Sequence, residues 1–223
     1  MSGGPAPDPA EVLARLRERY GPFEPPRVWD PLDELMLTIL SQNTSDTNSG
    51  RAFDSLRASF ADWEAVMEAP VEAVVEAIRP GGLANTKAPR IQAVLREIAA
   101  RQEGSFDLGW MRDASDEDCA GYLSSLPGVG PKTVACVLAF SLGRDVMPVD
   151  THVHRVGTRL GLLPPRTSAE AAHRLLDDAI PDGQRVELHV AMIQLGRDTC
   201  RARGPRCGEC ALTDVCPRTG VGT

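Results

Sequence analysis

No stretch of this 223-residue chain approaches the ~18 consecutive apolar residues of a membrane span, so no helical membrane protein is expected. The first ten residues, Met1–Ala10, have no basic segment and no apolar segment, so they do not read as a secretory leader. The expected location is therefore the cytoplasm, including the nucleoid. Alternation of apolar and polar residues is nowhere sustained long enough to predict a sheet, and no repeat or low-complexity tract is present. Positive charge is also short: 24 Lys and Arg stand against 31 Asp and Glu, a formal net charge of −7. That argues against a protein that coats nucleic acid without selectivity. The deficit is uneven, with 12 basic and 21 acidic residues in 1–119 but 12 and 10 in 120–223. A nucleic-acid surface would draw mainly on the second half.

What is present is helix. Asp8-Pro9 and Asp30-Pro31 each read as an N-cap followed by proline at the first helical position. After the second, Leu32, Leu35, Met36, Ile39 and Leu40 form the i, i+3, i+4, i+7, i+8 stripe of a core-facing helix. Helical patterns continue over about 46–59, 62–68, 70–78 and 86–101, with Pro89 near the start of the last. Residues 1–7 read as a disordered lead-in and 22–29 as a proline-rich connector. Later helices are expected from Ser115/Asp116 to about Ser125, from Pro131 to Leu142, from Asp150 onward, and over about 185–198. Thr167 with Glu170 reads as a capping box for a helix ending near Ile180.

The central motif is Leu126-Pro127-Gly128-Val129-Gly130-Pro131-Lys132-Thr133. Two short helices joined by Gly128-Val129-Gly130 make a helix–hairpin–helix over about 116–142. Its glycines allow positive φ and remove Cβ atoms where a phosphate must approach. The N–H groups opening the second helix can bind an anion, aided by the helix dipole. Lys132 falls in that first turn, where the helix dipole disfavours an ammonium, which makes it a candidate nucleophilic amine. A plain helical corner with a solvated lysine is the bland alternative.

Asp150 opens the next helix and is expected to cap it. A carboxylate fixed in this way can also stabilise positive charge developing on a sugar. His152 and His154, two apart, do not share a helix face and do not read as a metal pair. Six cysteines are present, and Cys200, Cys207, Cys210 and Cys216 follow a C-x6-C-x2-C-x5-C spacing. In a chain without an export signal this points to a metal centre rather than disulfides. Zinc and a [4Fe–4S] cluster both take four thiolates. A single C-x2-C knuckle with uneven outer spacing favours the cluster. Arg197, Arg201, Arg203 and Arg206 crowd the first two ligands and could face a phosphate backbone.

Taken together, Leu126–Thr133, Val149–His152 and the four-cysteine spacing resemble the endonuclease III family of DNA glycosylases, within the helix–hairpin–helix–Gly/Pro–Asp superfamily. The resemblance spans residues 10–217 and extends to Ile39–Thr44 and Gly82–Ala88. It implies an all-α, two-lobed DNA glycosylase fold. A six-helix barrel carrying the hairpin would occupy 30–144. A [4Fe–4S] cluster domain would join 8–29 to 145–223, with its cluster loop at 200–216. Double-stranded DNA with a damaged or abasic nucleotide would be the partner, bound across the cleft by a monomer with the nucleotide flipped out.

By position, Lys132 matches the family's nucleophile and Asp150 its essential aspartate. Gln42, or Asn43 one residue on, matches the side chain that fills the gap left by the flipped base, and Leu83 matches the opposing wedge. Gly128, Gly130, His152, Arg201 and Arg203 are the further DNA-contact candidates. Pro131 stands where the family often has a basic residue. The activity implied is a bifunctional DNA glycosylase/AP lyase acting on oxidised pyrimidines. A monofunctional mismatch glycosylase and a catalytically weak DNA-binding relative are the alternatives.

Overall fold

The computed structural model describes residues 4–23 and 30–221, so Met1–Gly3 of the lead-in and most of the proline-rich connector lie outside the described residues. Every regular element among the described residues is helical. The chain divides into two compact units: Val28–Gly143 forms one, and Met1–Arg27 together with Arg144–Thr223 forms the other. No helix among the described residues is long and apolar enough to cross a membrane.

The first unit contains α2 (Pro31–Ser41), α3 (Asp46–Ser59), α4 (Trp63–Glu68), α5 (Val71–Ile78), α6 (Ala84–Arg101), α7 (Asp116–Ser124) and α8 (Pro131–Ser141). Its helix starts are chemically marked. Asp30, Ser45, Asp62 and Ser115 each accept a backbone N–H of the turn they open. The apolar stripe of α2 is fully buried, as are Ile91, Val94, Leu95 and Ile98 of α6. Helix α8 is buried from Thr133 to Ala139 and packs against α2, so its first turn is its accessible end.

Helix α6 starts at Ala84, two residues ahead of the sequence expectation, which places Pro89 inside it. The early start follows from Leu83, whose left-handed backbone (φ 51°, ψ 32°) supplies the carbonyl for the Thr86 and Lys87 N–H groups. A leucine in that conformation costs about 1–2 kcal/mol, so its surroundings must hold it. Lys87 helps to do so. It is buried, and its Nζ donates to the Leu40 carbonyl (2.6 Å) and the Gly81 carbonyl (3.0 Å), tying the end of α2 to the turn before Leu83.

The second unit contains α1 (Pro9–Tyr20), α9 (Thr151–Arg159), α10 (Ala169–Ala179) and α11 (Arg185–Asp198). Val12, Leu13 and Leu16 of α1 join Val153, Val156, Leu176, Leu188, Met192 and Leu195 in one core. Gly157 and Gly196 permit close helix approach, since a Cβ on Gly196 would sit 2.8 Å from His152 Nδ1. Tyr20 donates to Asp198 at 2.9 Å, and Arg17 pairs with Glu187. Ala6, from the part of the lead-in that is described, lies beside Gly161 and Pro217.

The cap of α10 is Ser168, not Thr167 as expected. Ser168 accepts from Ala171 N–H at 3.2 Å, while the Thr167 hydroxyl is spent on the Pro164 carbonyl at 2.7 Å. Two adjacent hydroxyls offered the same capping chemistry, and the local turn chose between them.

Candidate active site and cysteine cavity

The hairpin joining α7 and α8 turns on Gly128, whose φ is +71°. Val129 N–H closes the turn on the Leu126 carbonyl at 3.2 Å, and both apolar side chains are buried beneath it. Gly130 departs from the expectation of positive φ. Its backbone is extended (φ −106°, ψ 176°), and it serves as the N-cap of α8. Having no side chain, it leaves the start of α8 without a side-chain cap, and no acidic residue stands in the first turn.

Lys132 is the second residue of that helix and is half-buried. The chain has two lysines, and the other, Lys87, is buried between two carbonyls. Burial also lowers the Lys87 pKa from its ordinary value. One lysine thus stands at an open helix start while the other is committed to structure.

Glu34 is a site residue that the sequence reading did not single out. It lies on α2 and is only 5% exposed. Burial pushes its carboxyl up to about 7, against opposing pulls from the Thr38 hydroxyl, 2.9 Å from Oε1, and from the Lys132 charge. The only available signal was an acidic residue inside the apolar pattern of α2. A carboxyl near 7 in the fold and near 4.5 when unfolded contributes stability that is fully present below pH 4.5. That stability is lost as pH rises through 7. The loss is about 3 kcal/mol. Glu34→Gln, uncharged at every pH, is expected to flatten this decline. Urea unfolding at pH 5, 6, 7 and 8 checks it, and parallel curves for the two proteins would refute it.

The other candidates in this unit gather around the end of α2. Gln42 is its C-cap and is half-buried, and its Oε1 accepts from Arg90 NH1 at 2.7 Å. Asn43 is exposed and left-handed, with φ 55°. Leu83 is 55% exposed, an isolated apolar side chain held out on its strained turn.

In the second unit, Asp150 caps α9 as expected, its Oδ1 accepting from Val153 N–H at 2.7 Å, and it remains half-buried. His152 places Nδ1 3.0 Å from Arg155 NH2. Arginine has no acceptor, so Nδ1 accepts and the proton lies on Nε2, leaving a donor. His154 Nε2 lies 2.8 Å from the Thr167 carbonyl, which makes it part of the packing between α9 and the following turn.

Cys200, Cys207, Cys210 and Cys216 line a single cavity with Arg159, Thr199, Pro205 and Thr213. Its donors are four sulfurs, with no carboxylate or imidazole among the lining residues. Burial raises the Cys210 and Cys216 thiols. Among the described residues, no three Cys, His, Asp or Glu side chains converge tightly enough to hold one metal ion. A single tetrahedral ion would need its sulfurs about 2.3 Å from one point. An iron–sulfur cluster instead binds each thiolate to a different iron, and the four thiols that such a cluster takes share this cavity.

Arg159, also missed in the sequence, braces the loop. It donates to Cys200 Sγ (3.3 Å) and to the carbonyls of Cys200, Arg201 and Ala202. Arg206 is tied to Asp198 and Glu209; Arg201 donates Nε to the Asp198 carbonyl at 3.0 Å yet stays exposed, as does Arg203.

Comparison with known proteins places this arrangement. The chain is 33% identical to Escherichia coli endonuclease III over 207 residues, covering 92% of this chain and 93% of that protein. It is 37% identical over 193 residues to an Arabidopsis thaliana protein bearing a DNA glycosylase name. That match covers 85% of this chain but 65% of that longer relative. A solved structure of a trapped endonuclease III–DNA covalent intermediate superposes with a TM-score of 0.79 at 27% identity, covering 93% of each chain. Residues 36–182 match the HhH-GPD superfamily base excision DNA repair protein family. The chain therefore belongs to the HhH-GPD superfamily of base excision DNA repair proteins and is a DNA glycosylase of its endonuclease III family.

Proposed function

We propose that this protein is a bifunctional DNA glycosylase/AP lyase that removes oxidised pyrimidines from double-stranded DNA through Lys132. The observation that carries the reading is the half-buried lysine in the first turn of the hairpin's uncapped second helix. The likeness to a trapped endonuclease III–DNA covalent intermediate supports it.

In the proposed reaction the neutral Lys132 amine attacks C1′ of the damaged nucleotide. The C1′–N bond breaks, and the base leaves with its electron pair and takes up a proton. Asp150 stabilises the positive charge developing on the sugar. Ring opening gives a protonated imine between Nζ and C1′. That imine acidifies the C2′ proton, whose loss expels the 3′ phosphate by β-elimination and cuts the strand. Water then releases the enzyme.

The hairpin around Gly128 and Gly130 takes a backbone phosphate, and Arg201 and Arg203 take others. Gln42 or Asn43 fills the vacated stack, and Leu83 wedges the opposite side. The sulfur-lined cavity holds a [4Fe–4S] cluster, which fixes the loop carrying those arginines.

Borohydride reduction during turnover tests this reading. On duplexes containing thymine glycol or an abasic site, the wild-type protein is expected to form a covalent adduct alongside β-eliminated product. Base release from a mismatch without adduct would instead identify a monofunctional glycosylase. Binding without excision of any lesion would identify a DNA-binding relative.

A further inference from the structure

Arg90 of α6 holds two candidate DNA-reading segments at once. Its NH1 donates to Gln42 Oε1 at 2.7 Å. Its stem lies against the hairpin, where a Cβ on Gly128 would come within 2.7 Å of Nε and 2.9 Å of Cδ. Gly128 therefore has a second reason to be glycine besides its φ of +71°: the space a side chain would need is filled by Arg90. One turn earlier on the same helix, Lys87 grips the Leu40 carbonyl. The end of α2 is thus fixed by two cations three residues apart.

The Arg90 contact has a chemical consequence. A guanidinium carries donors and no acceptor, so the Gln42 atom facing it must be the amide oxygen. With Oε1 held toward Arg90, the amide nitrogen, which only donates, is the end that Gln42 turns away from it. A free glutamine is ambivalent, because a half-turn of its amide exchanges donor for acceptor. Arg90 removes that ambivalence.

We propose that Arg90 is a specificity-setting positioning residue: it locks Gln42 as a hydrogen-bond donor, so the base opposite the lesion is selected by the acceptor it presents. This rests on the reading that Gln42 enters the duplex when the damaged nucleotide leaves. The four bases differ in the acceptors and donors along their edges. A probe that presents its donor satisfies an acceptor and is left unpaired against a donor, which is how a polar contact discriminates.

Single-turnover excision of thymine glycol opposite A, C, G and T reads the effect. Wild type is expected to spread these four rates by about three- to tenfold, the value of one net hydrogen bond. Arg90→Met, which keeps an apolar stem against Gly128 but frees the amide, is expected to compress the spread below about twofold. Gln42→Glu keeps its Arg90 partner as an ion pair but presents an acceptor outward, so the order of preference is expected to change. This second variant leaves Arg90 in place, and its result stands whatever the stability of Arg90→Met. An unchanged spread in folded Arg90→Met, or an unchanged order in Gln42→Glu, overturns the proposal while Gln42→Ala still slows excision. If Gln42→Ala excises as wild type does opposite every base, the reading that Gln42 enters the duplex falls first, and the inference falls with it.

Discussion

Lys132→Gln is expected to abolish the borohydride adduct and to slow strand cleavage at an abasic site by at least about a thousandfold. The size follows from chemistry that neighbouring groups cannot replace. An imine needs a primary amine, and the sequence offers two lysines and the α-amino group. Lys87 is buried, with its ammonium held by the Leu40 and Gly81 carbonyls. Proteolysis of the trapped wild-type complex should therefore find the nucleotide on the peptide containing Lys132. A persisting adduct in Lys132→Gln would transfer the role to the α-amino group.

Misfolding is not expected to confuse this result. Lys132 sits where the dipole of α8 opposes a cation, so a neutral side chain there should leave the helix at least as stable. One change in the fold is expected all the same. Lys132 is the cation that holds the Glu34 carboxyl down against its burial. In Lys132→Gln that carboxyl should titrate still higher, and the decline of stability with pH should extend to higher pH. This shift can be measured without DNA, and it shows whether the two side chains feel each other in solution.

The sequence made the helix boundaries legible wherever a boundary has its own chemistry. Asp8, Asp30, Ser115 and Asp150 each cap the helix they were expected to start. It failed where two residues could do the same job, as with Thr167 and Ser168. It also failed where a tertiary contact overrides local preference, as with Leu83, left-handed on a turn that Lys87 ties down. At the site, Lys132 and the cysteines stood out because their residue types and spacing are unusual. Glu34, Arg90 and Arg159 did not. Their significance lies in what they touch or face: a distant lysine's charge, a glutamine 48 residues away, and the carbonyls of a loop about 41 residues on. No periodicity along the chain encodes those partners.

Cys210→Ser is expected to cost the protein its visible colour and about four irons per chain, and to lower its melting temperature by about 10 °C or more. The contacts that otherwise hold residues 200–216 are individually modest. Leu212 is the loop's one fully buried apolar anchor, contributing about 1.5–3 kcal/mol. Arg15 to Asp214 is an exposed ion pair, which solvent and salt weaken. The Arg159 side chain braces the first three residues of the loop, its carbonyl accepts from Cys216 Sγ at 3.4 Å, and Arg206 is tied to Asp198. Four metal–thiolate bonds would outweigh all of these even after the cost of deprotonating two thiols that burial keeps neutral. Once they are lost, the loop releases Leu212 from the core it shares with α1 and α11, so the damage spreads beyond the cavity. Excision should fall with it, since Arg201 and Arg203 stand on the same loop. One zinc per chain with no visible absorbance in the wild-type protein, or an unchanged melting temperature in Cys210→Ser, would show that the loop is held by something other than a cluster.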